Sequence, residues 1–349
     1  MTEIFPKIKS IEIKKLFGEK DLKWDLEDSV NVLVGNNGAG KSTLLKIIRE
    51  VLANKDPKFL EKTDNVKIEF TDGSEIFRAN DKFSYEKFIN SINLFKSINP
   101  IESLPKSKKQ ADIFFKSINN HLKDYIEQYF ENIGKNLEIK NYQLENKDNA
   151  YYKFIKNFTD SKADNNKSKK DVAVEYVSTV DMSANSTREF TKSDGEMAII
   201  LEWEISQQLS RIQSQQITDE KTYLKIKKRI NDSLNLFLGD SGKSVSFDKD
   251  IVITYKENTI DITSLSSGEK QVIYIFLSVA NAYFNRAIIL MDEPEISLHL
   301  NWQEKLISTI RKINPDSQLI IVTHSPAIVM KGWLSYFKDI ADITVGSKS

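Results

Sequence analysis

Residues 35–42 constrain the fold of this chain more than any other part of its sequence. They read Gly-Asn-Asn-Gly-Ala-Gly-Lys-Ser, which fits the phosphate-binding loop pattern G-x-x-x-x-G-K-S/T at every fixed position. A β-branched run, residues 30–34, precedes the loop, and residues 44–51 follow it with apolar side chains at helical spacing. Because such a loop joins a strand to a helix, the sequence predicts an α/β fold built around it.

The chemistry expected of this loop is phosphate binding. Glycines let the backbone fold around a β-phosphate, and the helix that begins near Lys41 directs its positive end at the same anion. Lys41 is expected to reach the β- and γ-phosphates, and the Ser42 hydroxyl to ligate Mg²⁺. The candidate ATP-binding residues are Gly35, Asn36, Asn37, Gly38, Ala39, Gly40, Lys41, Ser42 and Thr43.

An apolar run that ends in two carboxylates is the second candidate element. Residues 288–291 are followed directly by Asp292 and Glu293. In a parallel sheet, ligand chemistry lies at the carboxyl ends of the strands, beside the phosphate loop. Asp292 is therefore expected to hold Mg²⁺, directly or through water, and Glu293 to orient and deprotonate the attacking water. The alternative interpretation is that Asp292 and Glu293 only mark the end of a strand, as they would without a phosphate loop in the same chain.

A second anion site is predicted at the start of an apolar helix, residues 272–280. The residues before that helix offer hydroxyl and free N–H groups at its positive end, 26 residues ahead of Asp292. An ordinary helix cap is the alternative interpretation. The candidate residues are Ser266, Ser267, Gly268 and Glu269.

The last candidate element is a strand, residues 320–322, that leads into Thr323 and His324. A lone histidine at this position suits a sensor of the γ-phosphate. Its alternative is a histidine that only hydrogen-bonds the end of its strand.

Taken together and in this order, the four motifs resemble those of the ABC-type ATPase heads of the RecF/SMC-like and OLD-like group. These heads are often catalogued as AAA-type ATPase domains of prokaryotic defence and DNA-maintenance proteins. Residues 292–299 best distinguish this group from transporter ATPases. They read Asp-Glu-Pro-Glu-Ile-Ser-Leu-His, where transporter ATPases usually have Asp-Glu-Pro-Thr-Ser-Ala-Leu-Asp. The resemblance covers about residues 1–80 and 172–330, but not 81–170.

This resemblance implies an α/β, ABC-type P-loop ATPase head with an N-terminal antiparallel β subdomain and a helical insertion and signature subdomain. It also implies a head-to-tail dimer, or a larger assembly, in which Ser266 and Gly268 contact the ATP held by the partner's phosphate loop. Ser297 would belong to the D-loop that crosses the dimer. The residues expected to act in hydrolysis are Lys41, Glu293 and His324, the last as the switch histidine.

Two features depart from the family pattern. The strand at residues 172–177 is not followed by the usual Q-loop glutamine, so Ser178, Thr179 or Asp181 is expected to substitute for it. OLD-like nucleases continue into a Toprim domain, whereas this sequence stops 25 residues after His324. Any nuclease activity is therefore expected from a partner protein.

Four regions are predicted along the chain: an N-terminal lobe (1–80), a helical Lys/Asn-rich insertion (81–171), a strand with two helices at about 194–216 and 219–238 (172–250), and a C-terminal lobe (251–349). Basic and aromatic residues alternate within residues 106–170. This segment either binds a nucleic-acid backbone or is a solvated helical insertion with a small core of its own.

Composition excludes several classes of protein. Fifty basic residues balance fifty acidic ones, and the absence of cysteine excludes disulfides and thiolate metal sites. No apolar run approaches the roughly 20 residues of a membrane span, and the N-terminus lacks a signal-peptide pattern. A cytoplasmic protein without a membrane partner is expected.

The sequence thus predicts an ATPase that uses ATP and Mg²⁺ in a dimer or oligomer switch. The resemblance places it in anti-phage defence, with a separate nuclease or toxin as effector. The first alternative is an SMC/RecF-like DNA clamp. The two predicted helices argue against it, because at about 30–35 Å each they are too short for the long coiled-coil arms of such a clamp. The second is a transporter subunit, against which residues 292–299 and the missing glutamine argue.

Overall fold

Four sheets and a group of helices make up the described part of the computed structural model, which comprises residues 6–53, 58–79, 172–179, 189–191 and 197–345. In chain order its strands are β1 (Ile8–Leu16), β2 (Lys20–Asp25), β3 (Val30–Val34), β4 (Asn65–Phe70), β5 (Glu75–Ala79), β6 (Val174–Ser178), β7 (Glu189–Thr191), β8 (Met197–Ile199), β9 (Lys243–Phe247), β10 (Ile251–Tyr255), β11 (Asn258–Ile260), β12 (Ile288–Asp292), β13 (Leu319–Thr323), β14 (Phe337–Asp339) and β15 (Thr344–Val345). Its α-helices are α1 (Lys41–Ala53), α2 (Ile200–Thr218), α3 (Glu220–Leu238), α4 (Ser267–Asn285) and α5 (Leu300–Ile313). The predicted insertion at 81–171 and Asp181 lie outside the described residues.

The central sheet is parallel, with the strand order β14-β3-β13-β12-β6. Every neighbouring pair in it runs in the same direction. The inner strands β12 and β13 are buried along their whole length, which is why their sequences are nearly continuous apolar runs. All carboxyl ends of the sheet's strands lie along one edge.

An antiparallel sheet lies beside it, with the order β15-β2-β1-β4-β5. It confirms the predicted antiparallel β subdomain. Its β4–β5 hairpin turns at Asp72 and Gly73, where Gly73 has a φ of +79°. The buried amide of Gln318, at the entry to β13, connects the two sheets. Its Nε2 donates to the carbonyls of Ile8 (2.7 Å) and Glu27 (2.8 Å), and its Oε1 accepts from Ile8 N at 2.8 Å.

The core is divided by the parallel sheet into two layers. Ile288 and Leu290 of β12 pack with α1 and the antiparallel sheet, whereas Ile289 and Met291 pack on the other side with α2 to α5. This alternation follows from the two-residue period of a strand. Burying each such side chain stabilises the fold by about 1.5–3 kcal/mol.

The two helices predicted after β6 are present, with one correction. The first was expected from about residue 194 but begins at Ile200, because Met197–Ile199 forms a strand that pairs with Glu189–Thr191. The second is confirmed as α3. It is capped by the Asp219 carboxylate, which accepts from Thr222 N at 3.1 Å. Its apolar face is buried and consists of Tyr223, Ile226, Ile230, Leu234 and Phe237. Within the described residues, no helix is long and apolar enough to cross a bilayer.

Candidate active site

Four neighbouring strands bring the predicted site residues to one edge of the parallel sheet. β3 leads into the phosphate loop, β13 into His324, β12 into Asp292 and Glu293, and β6 into Thr179. Because β13 lies between β3 and β12, the histidine is placed between the phosphate loop and the carboxylates. Residues far apart in sequence thereby form one site.

The phosphate loop is closed by Lys41, the first residue of α1. Its Nζ donates to the carbonyls of Gly35 (2.9 Å) and Asn36 (3.3 Å), and its side chain is only 3% exposed. Burial lowers the pKa of Lys41, while the charges of Glu293 and Asp292 oppose that shift. Within the loop, the backbone of Gly40 has a φ of +100°. A Cβ on this residue would lie 3.0 Å from the Phe17 ring. Glycine at that position therefore meets both a steric and a conformational requirement.

Asp292 is held from two sides. Ser42 Oγ donates to its Oδ1 at 2.7 Å, and the Tyr176 hydroxyl donates to its Oδ2 at 3.2 Å. Tyr176 is in turn covered by the Arg49 guanidinium, 4.7 Å from the ring centroid. A hydroxyl beside a carboxylate is a hard-oxygen donor set that suits Mg²⁺. No group of three or more His, Asp or Glu side chains in the described ranges is arranged to hold a metal, so a Mg²⁺ ion here would take its other ligands from phosphate and water.

Glu293 lies at the turn that follows β12, in the left-handed region with a φ of +50°. Such a backbone is strained for a residue other than glycine and is typical of functional sites. Its Oε1 lies 3.1 Å from His324 Nε2 and 3.9 Å from Lys41 Nζ, and its Oε2 accepts from His324 N at 2.9 Å. Burial raises the pKa of Glu293 to about 8, and a hydrogen bond with Glu295 and the charge of Glu295 add to the rise.

His324 contacts both catalytic candidates at once. Its Nε2 is 2.7 Å from Lys41 Nζ as well as 3.1 Å from Glu293 Oε1. Burial, followed by the positive charge of Lys41, lowers the pKa of His324. The ring is therefore neutral near pH 7 and 38% exposed, which leaves it accessible from the cleft.

Of the three residues predicted to substitute for the missing glutamine, Ser178 and Thr179 lie within the described residues, at and just after the end of β6. Thr179 is fully buried, and its hydroxyl donates to the backbone carbonyls of Asp292 (3.2 Å) and Glu293. It therefore supports the turn that carries the two carboxylates and does not face the cleft. Ser178, at the end of the strand, is also largely buried.

The signature residues form a helix cap within their own chain. Ser266 Oγ accepts from Glu269 N at 3.3 Å, and Ser266 N donates to Glu269 Oε2 at 3.0 Å, which is a capping box. Ser266 and Ser267 are exposed. Gly268 packs against the D-loop, because a Cβ there would lie 2.5 Å from the carbonyl oxygen of Ser297.

A cleft of about 680 Å³ opens at the strand ends. It is lined by Asn37, Ser42, Glu293, Glu295, Ile296, His324, Ser325 and Pro326. The phosphate loop, the Ser42 hydroxyl, the Glu293 carboxylate and the His324 ring thus line one cleft. The signature residues of the same chain lie outside it.

Glu295 and Tyr176 are the site residues that sequence reasoning missed. The sequence Asp-Glu-Pro-Glu did carry a signal for Glu295. A third acidic side chain so close to Asp292 and Glu293 needs hydrogen-bond partners of its own. Tyr176 carried no signal, because an aromatic residue in a strand is ordinary.

A phosphate loop, a carboxylate pair and a histidine at the ends of parallel strands define a P-loop ATPase of the ABC-head type. The chain belongs to the AAA ATPase domain family (AAA_15), which matches residues 7–329. The protein is therefore an ATPase, and the family expected from the motifs is confirmed.

Curated proteins are similar to the chain over most of its length. Septu protein PtuA of Bacillus thuringiensis is 26% identical, over 92% of this chain and 72% of its own length. "Retron Vc95 probable ATPase" of Vibrio cholerae serotype O1 biovar El Tor is 24% identical, over 87% of this chain and 67% of its own. Among solved structures, the SMC head domain from Thermotoga maritima matches 93% of this chain and 91% of its own, with 14% identity and a TM-score of 0.42.

Proposed function

We propose that the ATPase works as a nucleotide-dependent dimer switch, in which two chains enclose two ATP molecules head to tail. The position of the signature residues carries this proposal. Ser266 and Ser267 are exposed at the start of α4 and lie outside the cleft of their own chain. A positive helix end with exposed serine side chains suits a γ-phosphate presented by a partner. A two-fold dimer would then contain two identical composite sites.

Within each site, the loop backbone and Lys41 would bind the phosphates of ATP. Ser42 and Asp292 would hold Mg²⁺, which neutralises phosphate charge when it is bound. Glu293 would orient the attacking water and take its proton, and His324, beside it, would contact the γ-phosphate. ATP binding closes the dimer in this scheme, and hydrolysis opens it.

The biological setting we propose is anti-phage defence in the cytoplasm, with a separately encoded nuclease or toxin as effector. This setting rests on the resemblance to OLD-like and RecF-like heads. The similarity to a Septu protein and a retron ATPase over most of the chain supports it. The switch would then transmit its nucleotide state to the effector.

The dimer switch is tested with Glu293→Gln. This variant keeps the shape of the side chain and removes the base, so ATP affinity should stay within about twofold while kcat falls by about 100-fold or more. Saturated with ATP and Mg²⁺, it should elute as a dimer in size-exclusion chromatography. Turnover at the wild-type rate, or a monomer with ATP bound, would contradict the proposal.

Lys41→Ala is the control for nucleotide dependence. It removes the cation expected on the β- and γ-phosphates, so ATP binding should weaken strongly and no dimer should accumulate on adding ATP. A Lys41→Ala variant with unchanged ATP affinity would show that this loop is not the phosphate site.

A further inference from the structure

Glu295 is a buried carboxylate that none of the roles above uses. It lies in the turn between β12 and α5, two residues beyond Glu293, and is 6% exposed. An ionisable side chain at this depth is costly unless hydrogen bonds compensate for the lost water. Its partners therefore indicate what it is for.

The three donors to its Oε1 all belong to the loop that carries the histidine. Glu295 Oε1 accepts from the Thr323 hydroxyl, from His324 N at 3.3 Å and from Ser325 N at 3.2 Å. Hydrogen bonds to a charged acceptor are stronger than neutral ones. One carboxylate oxygen thus fixes three consecutive residues at the end of β13.

The same histidine backbone is shared with the catalytic carboxylate. His324 N lies 2.9 Å from Glu293 Oε2 and 3.3 Å from Glu295 Oε1, so both acidic residues of the turn hold it. The imidazole then has its Nε2 within 3.1 Å of Glu293 Oε1. A shift of this backbone would move the ring away from both Glu293 and Lys41.

A second set of contacts ties the turn and the loop together from the other side. Gln303 of α5 donates through Nε2 to the Leu298 carbonyl at 2.9 Å, and its Oε1 accepts from Ser325 Oγ at 2.7 Å. Leu298 N donates in turn to the Glu295 carbonyl at 2.9 Å. The histidine loop and the turn that includes Ser297 are thereby held as one unit.

We propose that Glu295 is a positioning residue for ATP hydrolysis, which holds the backbone of His324 so that the imidazole stays beside Glu293 and Lys41. The proposal rests on the role of His324 at the γ-phosphate given above. Glu295 touches the histidine loop and not the phosphates in this assignment. It acts on turnover through His324.

The test is a double-mutant cycle of Glu295→Ala and His324→Ala, measured as kcat and ATP Kd. Glu295→Ala alone should lower kcat by about 10- to 100-fold, since a misplacement of about 1 Å costs that much, and leave Kd within about twofold. In the His324→Ala background the same change should cost less than about threefold. Glu295→Gln should restore most of the loss, because its amide oxygen can accept from the same three donors.

Glu304→Ala is the matched control. Glu304 lies on the neighbouring helix α5 and pairs with Lys331 at 2.7 Å, away from the histidine loop, so kcat should not change. Thr323→Val is a second probe that leaves Glu295 in place and removes one of its donors. Thr323→Val should lower kcat a few-fold. It tests the proposal even if Glu295→Ala does not fold.

Two results would overturn the proposal. One is an equal loss from Glu295→Ala in the wild-type and His324→Ala backgrounds, and the other is full turnover by Glu295→Ala or Thr323→Val. A lower kcat that merely follows a lower melting temperature or ATP affinity would also assign Glu295 a structural role only. Normal hydrolysis by His324→Ala alone would instead refute the assigned role of the histidine, which the cycle reports separately.

Discussion

At the scale of single residues, three carboxylates within one short turn have different surroundings. Asp292 is held by a serine and a tyrosine, Glu293 contacts His324, and Glu295 binds backbone N–H groups of the next strand's loop. Glu293 has a left-handed backbone directly after β12. Glu293 and Glu295 nevertheless share His324 N as a donor, and the charge of Glu295 contributes to the raised pKa of Glu293.

Thr179 offers a test of how that turn is supported. Thr179→Val keeps the shape but removes a hydroxyl donor from the carbonyls of Asp292 and Glu293, of which that of Glu293 still accepts from Ile296 N at 3.2 Å. The free energy of unfolding should therefore fall by about 1–2 kcal/mol. Urea denaturation would measure it. Thr309→Val is the matched control, since the buried hydroxyl of Thr309 has no hydrogen-bond partner among the described residues. Its loss should change stability by less than about 0.5 kcal/mol, and equal effects at both positions would refute the supporting role.

Spacing along the chain was enough to find most of the site. Lys41, Ser42, Asp292, Glu293 and His324 each follow a recognisable strand, and parallel strands bring such ends together. The contacts of Glu295 and Tyr176 could not be found in this way. They depend on which strand neighbours β12, and strand order in a sheet is decided by tertiary packing.

At the scale of elements, α4 joins the signature to the small β9–β10–β11 sheet. The Glu269 carboxylate receives Lys243 Nζ and Ser241 Oγ, both at 2.8 Å, in addition to Ser266 N of the capping box. Burial alone would raise the pKa of Glu269, but the hydrogen bonds from Lys243, Ser266 and Ser241 outweigh it and hold the pKa below its usual value. The ionised form is therefore stabilised by folding.

This shift predicts how the stability of α4 depends on pH. Since the folded-state pKa of Glu269 lies below the unfolded one, its stabilisation is present above the ordinary value of 4.5 and is lost as the pH falls through the folded-state pKa. Glu269→Gln should lower the free energy of unfolding by about 1–3 kcal/mol at pH 7. The difference from wild type should shrink below pH 4.5 in urea titrations.

An exposed substitution of the same kind, Glu19→Gln, controls for the loss of a charge and should change stability by less than about 0.5 kcal/mol. A Glu269→Gln difference that stayed constant from pH 7 to pH 3 would contradict the argument.

The elements themselves were largely predictable, and the failures have a physical cause. Long periodic segments such as α3 and β-branched runs such as β12 carry their own signal. Short strands such as β8 and β15 do not, because three or two residues gain their pairing from a neighbour and not from their own pattern. The early start predicted for α2 is one result of this.

At the scale of the whole molecule, Ser266→Arg separates nucleotide binding from the composite site. The arginine would block the helix end that we propose meets the partner's ATP, while the phosphate loop of the same chain stays intact. ATP affinity of the monomer should change less than about threefold, and hydrolysis should fall by about 100-fold or more. Equilibrium binding and steady-state phosphate release would measure the two effects.

A Ser267→Arg variant is the positional control, since its residue is equally exposed but is not the helix cap. We expect a smaller loss of hydrolysis from it. Normal turnover by Ser266→Arg would rule out the shared site.

The contact between Gly268 and the Ser297 carbonyl has a consequence for how such a dimer would respond to ATP concentration. Helix α4 and the turn after β12 meet without a side chain between them, since a Cβ on Gly268 would lie 2.5 Å from the Ser297 carbonyl oxygen. In a closely packed contact of this kind, a ligand that moved the start of α4 would also act on the turn that follows Glu293 in the same subunit. Occupancy of one pocket would be felt in the other, and a dimer built on this contact would bind its two nucleotides cooperatively.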